Sequence, residues 1–417
     1  MSKYRIQAII FVLVAFMLGC NEFIVVGILS DMAKSFGTPV ATMGYLVTIF
    51  ATTYAICTPF VTILTSRFSR YKTLLTLIII FLIGNTLSGF ATSFLTMMLA
   101  RMLTATVAGA IISLIMTFAS AIAPANKRAS LVSWIFAGFS IASVFGVPLG
   151  TTISMTYGWR YTFFVISIIT ILTFVLLIFI LPRNLPQVSS SVGGQLTLLK
   201  DRRIYIAVFL VLFTAAAMYG YYTYIRPLLT TALGFSTASL NWLLFIIGIM
   251  SIISNRLSGT LAEHQGLRYM PRFYVADIVL LALLPFALGN KVAGLAILLI
   301  LTLIITILNS PIQIHFLNVA EREYPQSIVL ASSLNSIFFN FGISLGSATS
   351  SLMMSHVGLK WISLGAAVFA FISLILALML NQSVKRRKVA EGVLREGHRE
   401  WNEAVKGQNV RDSGRNA

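Results

Sequence analysis

The chain has 417 residues, 58% hydrophobic and only 10% charged, with a mean hydropathy of +0.90 and a formal net charge of +18. A soluble domain carries about 25% charged residues, so a water-soluble globular domain is excluded and the recurrent apolar runs indicate a helical membrane protein with many spans. The positive excess does not point to nucleic acid, because nine of the 30 Lys and Arg residues follow Asn381 and most others sit in short loops between apolar runs. That is how basic residues mark the cytoplasmic side of a membrane protein.

Runs long enough to cross a bilayer predict twelve spans, at 6–29, 43–65, 74–92, 95–121, 130–152, 161–181, 204–226, 238–261, 273–289, 292–317, 328–352 and 359–380. The first contains Asn21 and Glu22 inside an otherwise apolar stretch. A charge at that depth costs about 3 kcal/mol on insertion scales, so Glu22 is expected to face the bundle interior. A carboxyl there can bind and release a proton as its surroundings alternate between wet sides, which makes it the candidate for proton coupling. The structural alternative is a carboxyl permanently hydrogen-bonded to Asn21 or to another helix. Cys20 and Cys57 lie inside predicted spans without a CxxC or Cys/His cluster, so neither a disulfide framework nor a structural metal is expected. The apolar run continues past Cys20 to Leu29, which predicts an uncleaved first span.

The second span ends in Leu64-Thr65-Ser66-Arg67-Phe68-Ser69-Arg70, and the eighth in Leu261-Ala262-Glu263-His264-Gln265-Gly266-Leu267-Arg268. Equivalent placement in each half suggests internal duplication. Arg67, Arg70, Glu263 and Arg268 are candidate elements of a cytoplasmic gate, or positive-inside anchors. Span four carries the second deep charge, Arg101, which can tune a nearby carboxylate or contact backbone carbonyls. Span five carries Gly138, Gly146, Pro148 and Gly150, a pattern that allows close helix approach and a bend.

Segment 182–203 is rich in Pro, Ser and Gly and reads as a cytoplasmic linker between an N-terminal half, 1–181, and a C-terminal half, 204–380. In the second half Tyr219 and Tyr222 offer stacking faces and hydroxyls for a substrate cavity, with Tyr224 nearer the interfacial aromatic belt. Asn309 and Gln313 share a face of span ten, and Asn340 lies on span eleven. These three and Asn21 complete the predicted cavity. Asp31, Asp277 and His315 are further titratable groups, Asp31 being read as a solvated helix-end residue. The basic tail, 381–417, reads as a short surface helix around 384–405 or as a disordered segment. If the N-terminus is inside, 23 Lys and Arg residues fall on that side and five outside, so both termini are predicted to be cytoplasmic.

The segments after spans two and eight resemble the loop signature Gly-x-Leu-Ala-Asp-Arg-x-Gly-Arg of the major facilitator superfamily, although Ser66 stands where the family usually has Asp. Span five, from Ala137 through Ser154, followed by Tyr157-Gly158-Trp159-Arg160, resembles the motif of that superfamily's drug and sugar efflux permeases. Arg101 resembles the family's span-four arginine, with Thr104-Ala105 replacing the usual Gln-Gly. Span one is similar to the first helix of the sugar-efflux and multidrug branch. The resemblance implies an all-α polytopic fold of twelve transmembrane helices in two six-helix repeats. It implies a secondary active transporter, not an enzyme, exporting a sugar or sugar-like compound by proton antiport and alternating access. A multidrug antiporter is the alternative, and a membrane sensor without transport a further one. The expected partners are a small-molecule substrate, protons and the lipid bilayer of a bacterial inner or plasma membrane. The chain is expected to be a monomer, to bind no nucleic acid, and to use no cofactor or metal beyond the proton gradient. The sequence carries no HExxH, GxSxG or phosphate loop that would favour an enzyme.

Overall fold

The computed structural model of the chain describes residues 3–65, 68–124, 127–183, 196–263, 266–324 and 327–413, and these are almost wholly helical. Twelve helices are long and apolar enough to cross a membrane. In hydrocarbon every backbone N–H and C=O needs a partner, which a helix supplies from within itself. The first six helices are α1 (Lys3–Phe36), α2 (Val40–Thr65), α3 (Arg70–Phe90), α4 (Phe94–Ile122), α5 (Arg128–Ile141, continued by Val147–Tyr157) and α6 (Trp159–Ile180). The second six are α7 (Arg202–Tyr222), α8 (Thr237–Glu263), α9 (Gly266–Ala287), α10 (Lys291–Ile307, continued by Asn309–Glu323), α11 (Ile328–His356) and α12 (Ile362–Ser413). An even number of crossings puts both chain ends on one side, called here the terminal face; the other is the far face.

The two sets repeat one plan. The α5–α6 turn is made by Gly158 at φ +101° and the α11–α12 turn by Gly358 at φ +88°, both in backbone conformations that glycine adopts without a Cβ penalty. On α5, Gly138 is so close to α1 that an added Cβ would lie 2.6 Å from the Val12 carbonyl oxygen, while Gly342 and Gly346 on α11 press against the α7 backbone in the same way. Small residues at such crossings let backbones approach closely.

Two spans are interrupted, each beside a proline. In α5 a π-helical turn, Ala142–Gly146, precedes Val147 and Pro148. In α10 the helix breaks at Leu308, and Pro311, lacking an N–H, leaves the Ile307 carbonyl without its helical donor. Ser258 of α8 fills the gap, its Oγ donating to Ile307 O at 2.7 Å, and one turn earlier Ser254 Oγ donates to Leu303 O at 2.5 Å.

One buried apolar cluster fills the first six helices and reaches the far-face part of the second six, through Tyr219, Leu228, Leu243 and Leu298. The terminal-face part of the second six has its own cluster, around Ile204, Met270, Phe316 and Ala377, which contains no residue of the first six among the described residues. The two sets therefore share a core towards the far face and part from one another towards the terminal face. Helix α12 continues unbroken from its span through Ser413, so the basic tail is an extension of the last helix where a separate surface helix or disorder was expected.

Candidate functional site

The centre of the first six helices is a buried polar relay. Arg101 of α4 is 1% exposed. Its Nη1 donates to the Asn21 carbonyl oxygen at 2.7 Å and to Asn21 Oδ1 at 2.9 Å. Asn21 Nδ2 donates to Asn85 Oδ1 of α3 at 2.7 Å, and Asn85 Nδ2 donates to Phe163 O and Ser167 Oγ of α6, both at 2.8 Å. Four helices are thus pinned around one guanidinium, which also lies 4.0 Å from the centroid of the Phe50 ring of α2. Buried polar groups of this kind mostly satisfy one another; Arg101 Nε is left without a partner among the described residues. Asn85 and Ser167 are part of this arrangement and were not singled out in the sequence, where each is a lone polar residue in an apolar run.

Asn21 is therefore occupied by Arg101 and Asn85, and Glu22 points elsewhere. Among the described residues no hydrogen bond or ion pair is made by the Glu22 carboxylate, which is half-buried. Its electrostatic neighbours are Arg101, Tyr54 of α2 and Tyr219 of α7. It thus faces the seam between the two helix sets. On the opposite wall Tyr219 stacks edge-on against Tyr222 at 5.8 Å and Phe339 at 6.3 Å. Tyr54 reaches across to Ser336 of α11, with 3.4 Å between hydroxyl oxygens. One turn on, Asn340 donates from Nδ2 to Ser336 O at 3.1 Å, and its Oδ1 is buried without a partner among the described residues. Glu22, Tyr54, Tyr219, Tyr222, Ser336, Phe339 and Asn340 thus form one region of carboxylate, hydroxyls, amide and aromatic faces.

Gln313 is half-buried on α10 and makes no hydrogen bond among the described residues, and the side chain of Asn309 lies outside them. Asp277 of α9 is fully buried with neither carboxylate oxygen partnered among the described residues, and its electrostatic neighbours are Tyr221 and Tyr274.

Asp31 is not a solvated helix end. At the far face Arg226 clamps it, Nη1 donating to Oδ2 at 2.7 Å and Nη2 to Oδ1 at 2.8 Å, while Nη1 also donates to Gly27 O at 2.8 Å. Ser154 Oγ of α5 donates to the same Oδ2 at 2.5 Å. Tyr224, expected in an interfacial belt, is fully buried beside this clasp and donates to Ala41 O at 2.8 Å, with Ser351 Oγ also at 2.8 Å. Thr48 with Ser347 and Thr52 with Ser344 add hydroxyl pairs between α2 and α11, at 2.8 and 2.5 Å. The seam is thus bolted from the far face to mid-bundle.

At the terminal face, Arg67 lies outside the described residues and nothing is described of the Glu263 side chain. Arg70 opens α3 and is half-buried, and Arg268 is exposed near the start of α9. The predicted gate thus lies partly outside the described residues. The packing residues converge on α1: Gly138 meets its backbone, Gly146 lies against Cys20, Gly150 lies against Ile24, and Pro148 is buried at the start of the resumed α5 helix.

The family model of the Major Facilitator Superfamily matches residues 11–329. The chain belongs to the major facilitator superfamily. It is 32% identical over 361 residues to the MFS-type transporter YtbD of Bacillus subtilis (strain 168), a match covering 86% of this chain and 91% of that one. It is 29% identical over 366 residues to the inner membrane transport protein YdhP of Escherichia coli (strain K12), covering 88% and 93%. A bacterial homologue of the human lysosomal transporter Spinster, solved in an inward-facing and unoccupied conformation, superposes with a TM-score of 0.77 at 14% identity, covering 92% of this chain and 98% of that one. A D-xylose–proton symporter gives a TM-score of 0.72 at 15% identity, covering 91% and 97%. The likeness to these solved structures shows the twelve-helix major facilitator fold. The chain is a membrane transporter of this type.

Proposed function

We propose that this transporter exports a small molecule, a sugar or sugar-like compound, by proton antiport across a bacterial inner membrane with both termini cytoplasmic. The observation that carries the reading is Glu22: a carboxylate without a hydrogen-bond or ion-pair partner among the described residues, beside the fixed charge of Arg101, facing Tyr219 of the other helix set. Such a group can hold a proton or interact with a substrate in the same space, so that one excludes the other, which is the requirement for exchange. Arg101 is anchored by Asn21 and Phe50 and keeps a fixed positive charge beside Glu22. The hydroxyls of Tyr54, Tyr222 and Ser336 and the open Oδ1 of Asn340 suit a polyhydroxyl ligand. The bolted far face and parted terminal face correspond to a path closed outward and accessible from the cytoplasm. Rocking of the two six-helix sets about this seam would alternate the access.

A multidrug substrate is the second reading, favoured by the aromatic walls supplied by Phe50, Tyr219 and Phe339, which suit a flat apolar compound. Proteoliposomes containing a pH-sensitive dye test both readings, with sugars and cationic drugs added one at a time. The wild type is expected to move protons in response to its substrate, and Glu22→Gln to remain folded and lose that signal. Substrate-driven proton movement that survives in Glu22→Gln removes Glu22 from the coupling role.

A further inference from the structure

A second cavity, apart from the seam, opens at the terminal face of the second six helices. Its volume is about 620 Å³, and it is walled by α8, α9, α10, α12 and the start of α7. Cavities of roughly 300–1,000 Å³ are the size of small-molecule sites. The transport reading makes no use of it.

Its lining is two-sided. Leu267, Pro311, Ile314, Val319 and Val384 give apolar walls, while Arg203, Arg268, Arg322, Lys385 and Arg387 bring five cations to it. Glu323 is the one carboxylate among the lining residues, and it is already committed to Arg203 at 2.6 Å and Arg387 at 3.1 Å. Arg203 is also held by Asp201 at 2.6 Å. Arg268, Arg322 and Lys385, one from each of three helices, pair with no carboxylate among the described residues. Among the described lining residues no carboxylate offsets these three cations. An independent observation lies deeper: His315, on the wall, is 7% exposed and its Nε2 has no hydrogen-bond partner among the described residues. A buried polar atom without a partner costs free energy that a ligand hydroxyl would recover.

We propose that this cavity binds a phosphate-bearing polyol headgroup, with the phosphate on Arg268, Arg322 and Lys385 and a headgroup hydroxyl on His315 Nε2. Planar guanidinium forks match phosphate oxygens, and basic pockets between helices on the cytoplasmic side suit anionic headgroups. The apolar walls would take the first carbons of an attached acyl-glycerol. The same headgroup chemistry comes from phosphatidylglycerol in the bilayer or from soluble glycerol phosphate.

The test uses the full chain in nanodiscs of phosphatidylcholine, with or without phosphatidylglycerol, and in phosphatidylcholine nanodiscs with added glycerol 3-phosphate. Apparent Tm and phosphatidylglycerol retained through delipidation, read by mass spectrometry, are compared. Phosphatidylglycerol is expected to raise the Tm of the wild type and to be retained. The Arg268→Gln/Arg322→Gln/Lys385→Gln variant is expected to bind it roughly a hundred-fold more weakly. A control lacking two exposed cations elsewhere, Arg5→Gln/Lys72→Gln, keeps both signals. His315→Leu should lose the preference for phosphatidylglycerol over phosphatidic acid while keeping binding to both. If the triple variant does not fold, Arg268→Gln alone carries the comparison. A shift with glycerol 3-phosphate that the triple variant loses assigns the site to the soluble source, and a shift with the lipid alone assigns it to the bilayer. The proposal is overturned if neither compound shifts the wild type, or if the shift and retention persist in the triple variant.

Discussion

The clasp between Asp31 and Arg226 sets the stability of the closed far face. Arg226 is 5% exposed, and the pair's side chains are 23% and 6% exposed for Asp31 and Arg226, so the carboxylate retains some water and the guanidinium almost none. Breaking a fully buried pair by removing one partner costs about 3–5 kcal/mol; the partial exposure of Asp31 brings the expectation for Asp31→Asn down to about 2 kcal/mol. That cost falls on the closed arrangement, because both groups become hydrated when the helices separate. The substitution should therefore move the closed-to-open ratio at this face by roughly thirty-fold. Spin labels at Lys34→Cys and Thr237→Cys, both at exposed positions on either side of the seam, report the separation by pulsed electron resonance once Cys20 and Cys57 are replaced. Asp31→Asn should enlarge the long-distance population. The double variant Asp31→Asn/Arg226→Gln should shift it less than the two single changes combined, because it leaves no buried unpaired charge. Identical distance distributions in the wild type and both single variants would refute the clasp as a determinant of closure.

Four further outcomes are expected. Asn21→Leu deprives both Arg101 and Asn85 of a buried partner and should destabilise the first six helices by about 2–3 kcal/mol, read as a fall in Tm in detergent. Ser258→Ala exposes the Ile307 carbonyl at the α10 break and should cost about 0.6–1.7 kcal/mol in the same assay. Gly138→Ala forces a methyl onto the Val12 carbonyl and should cost about 1–3 kcal/mol, visible as reduced monodisperse yield. Asp201 shows a pH dependence: burial pushes its carboxyl up, but hydrogen bonds and charge from Arg203 outweigh this and hold it below its ordinary value. Its contribution is therefore complete above about pH 4, the unfolded value, and is lost as pH falls through the lower folded value. Acidification should lower the Tm of the wild type more than that of Asp201→Asn.

Twelve helices and their approximate limits are legible in the chain because hydrocarbon admits only segments that are apolar and satisfy their own backbone. The α5 glycines are legible for a similar local reason, since their spacing keeps them on one face. Glu22 and Arg101 stand out because a charge inside such a run is costly wherever the helix packs. What tertiary structure alone decides is which of these groups meet. Asn85 and Ser167 look incidental until α3 and α6 are laid against α1, where Asn85, itself held by Ser167, bonds the Asn21 that holds Arg101. Asp31 and Arg226 lie 195 residues apart, and Asp31, near the end of α1, reads as solvated until the segment just after α7 is laid against it. Tyr224 reads as an interfacial tyrosine for the same reason, until its hydroxyl is found on Ala41. Local hydropathy carries the cost of leaving water residue by residue, and so determines what crosses the membrane. The compensation for each buried polar group comes from a partner on another helix, and only the packing of the helices supplies it.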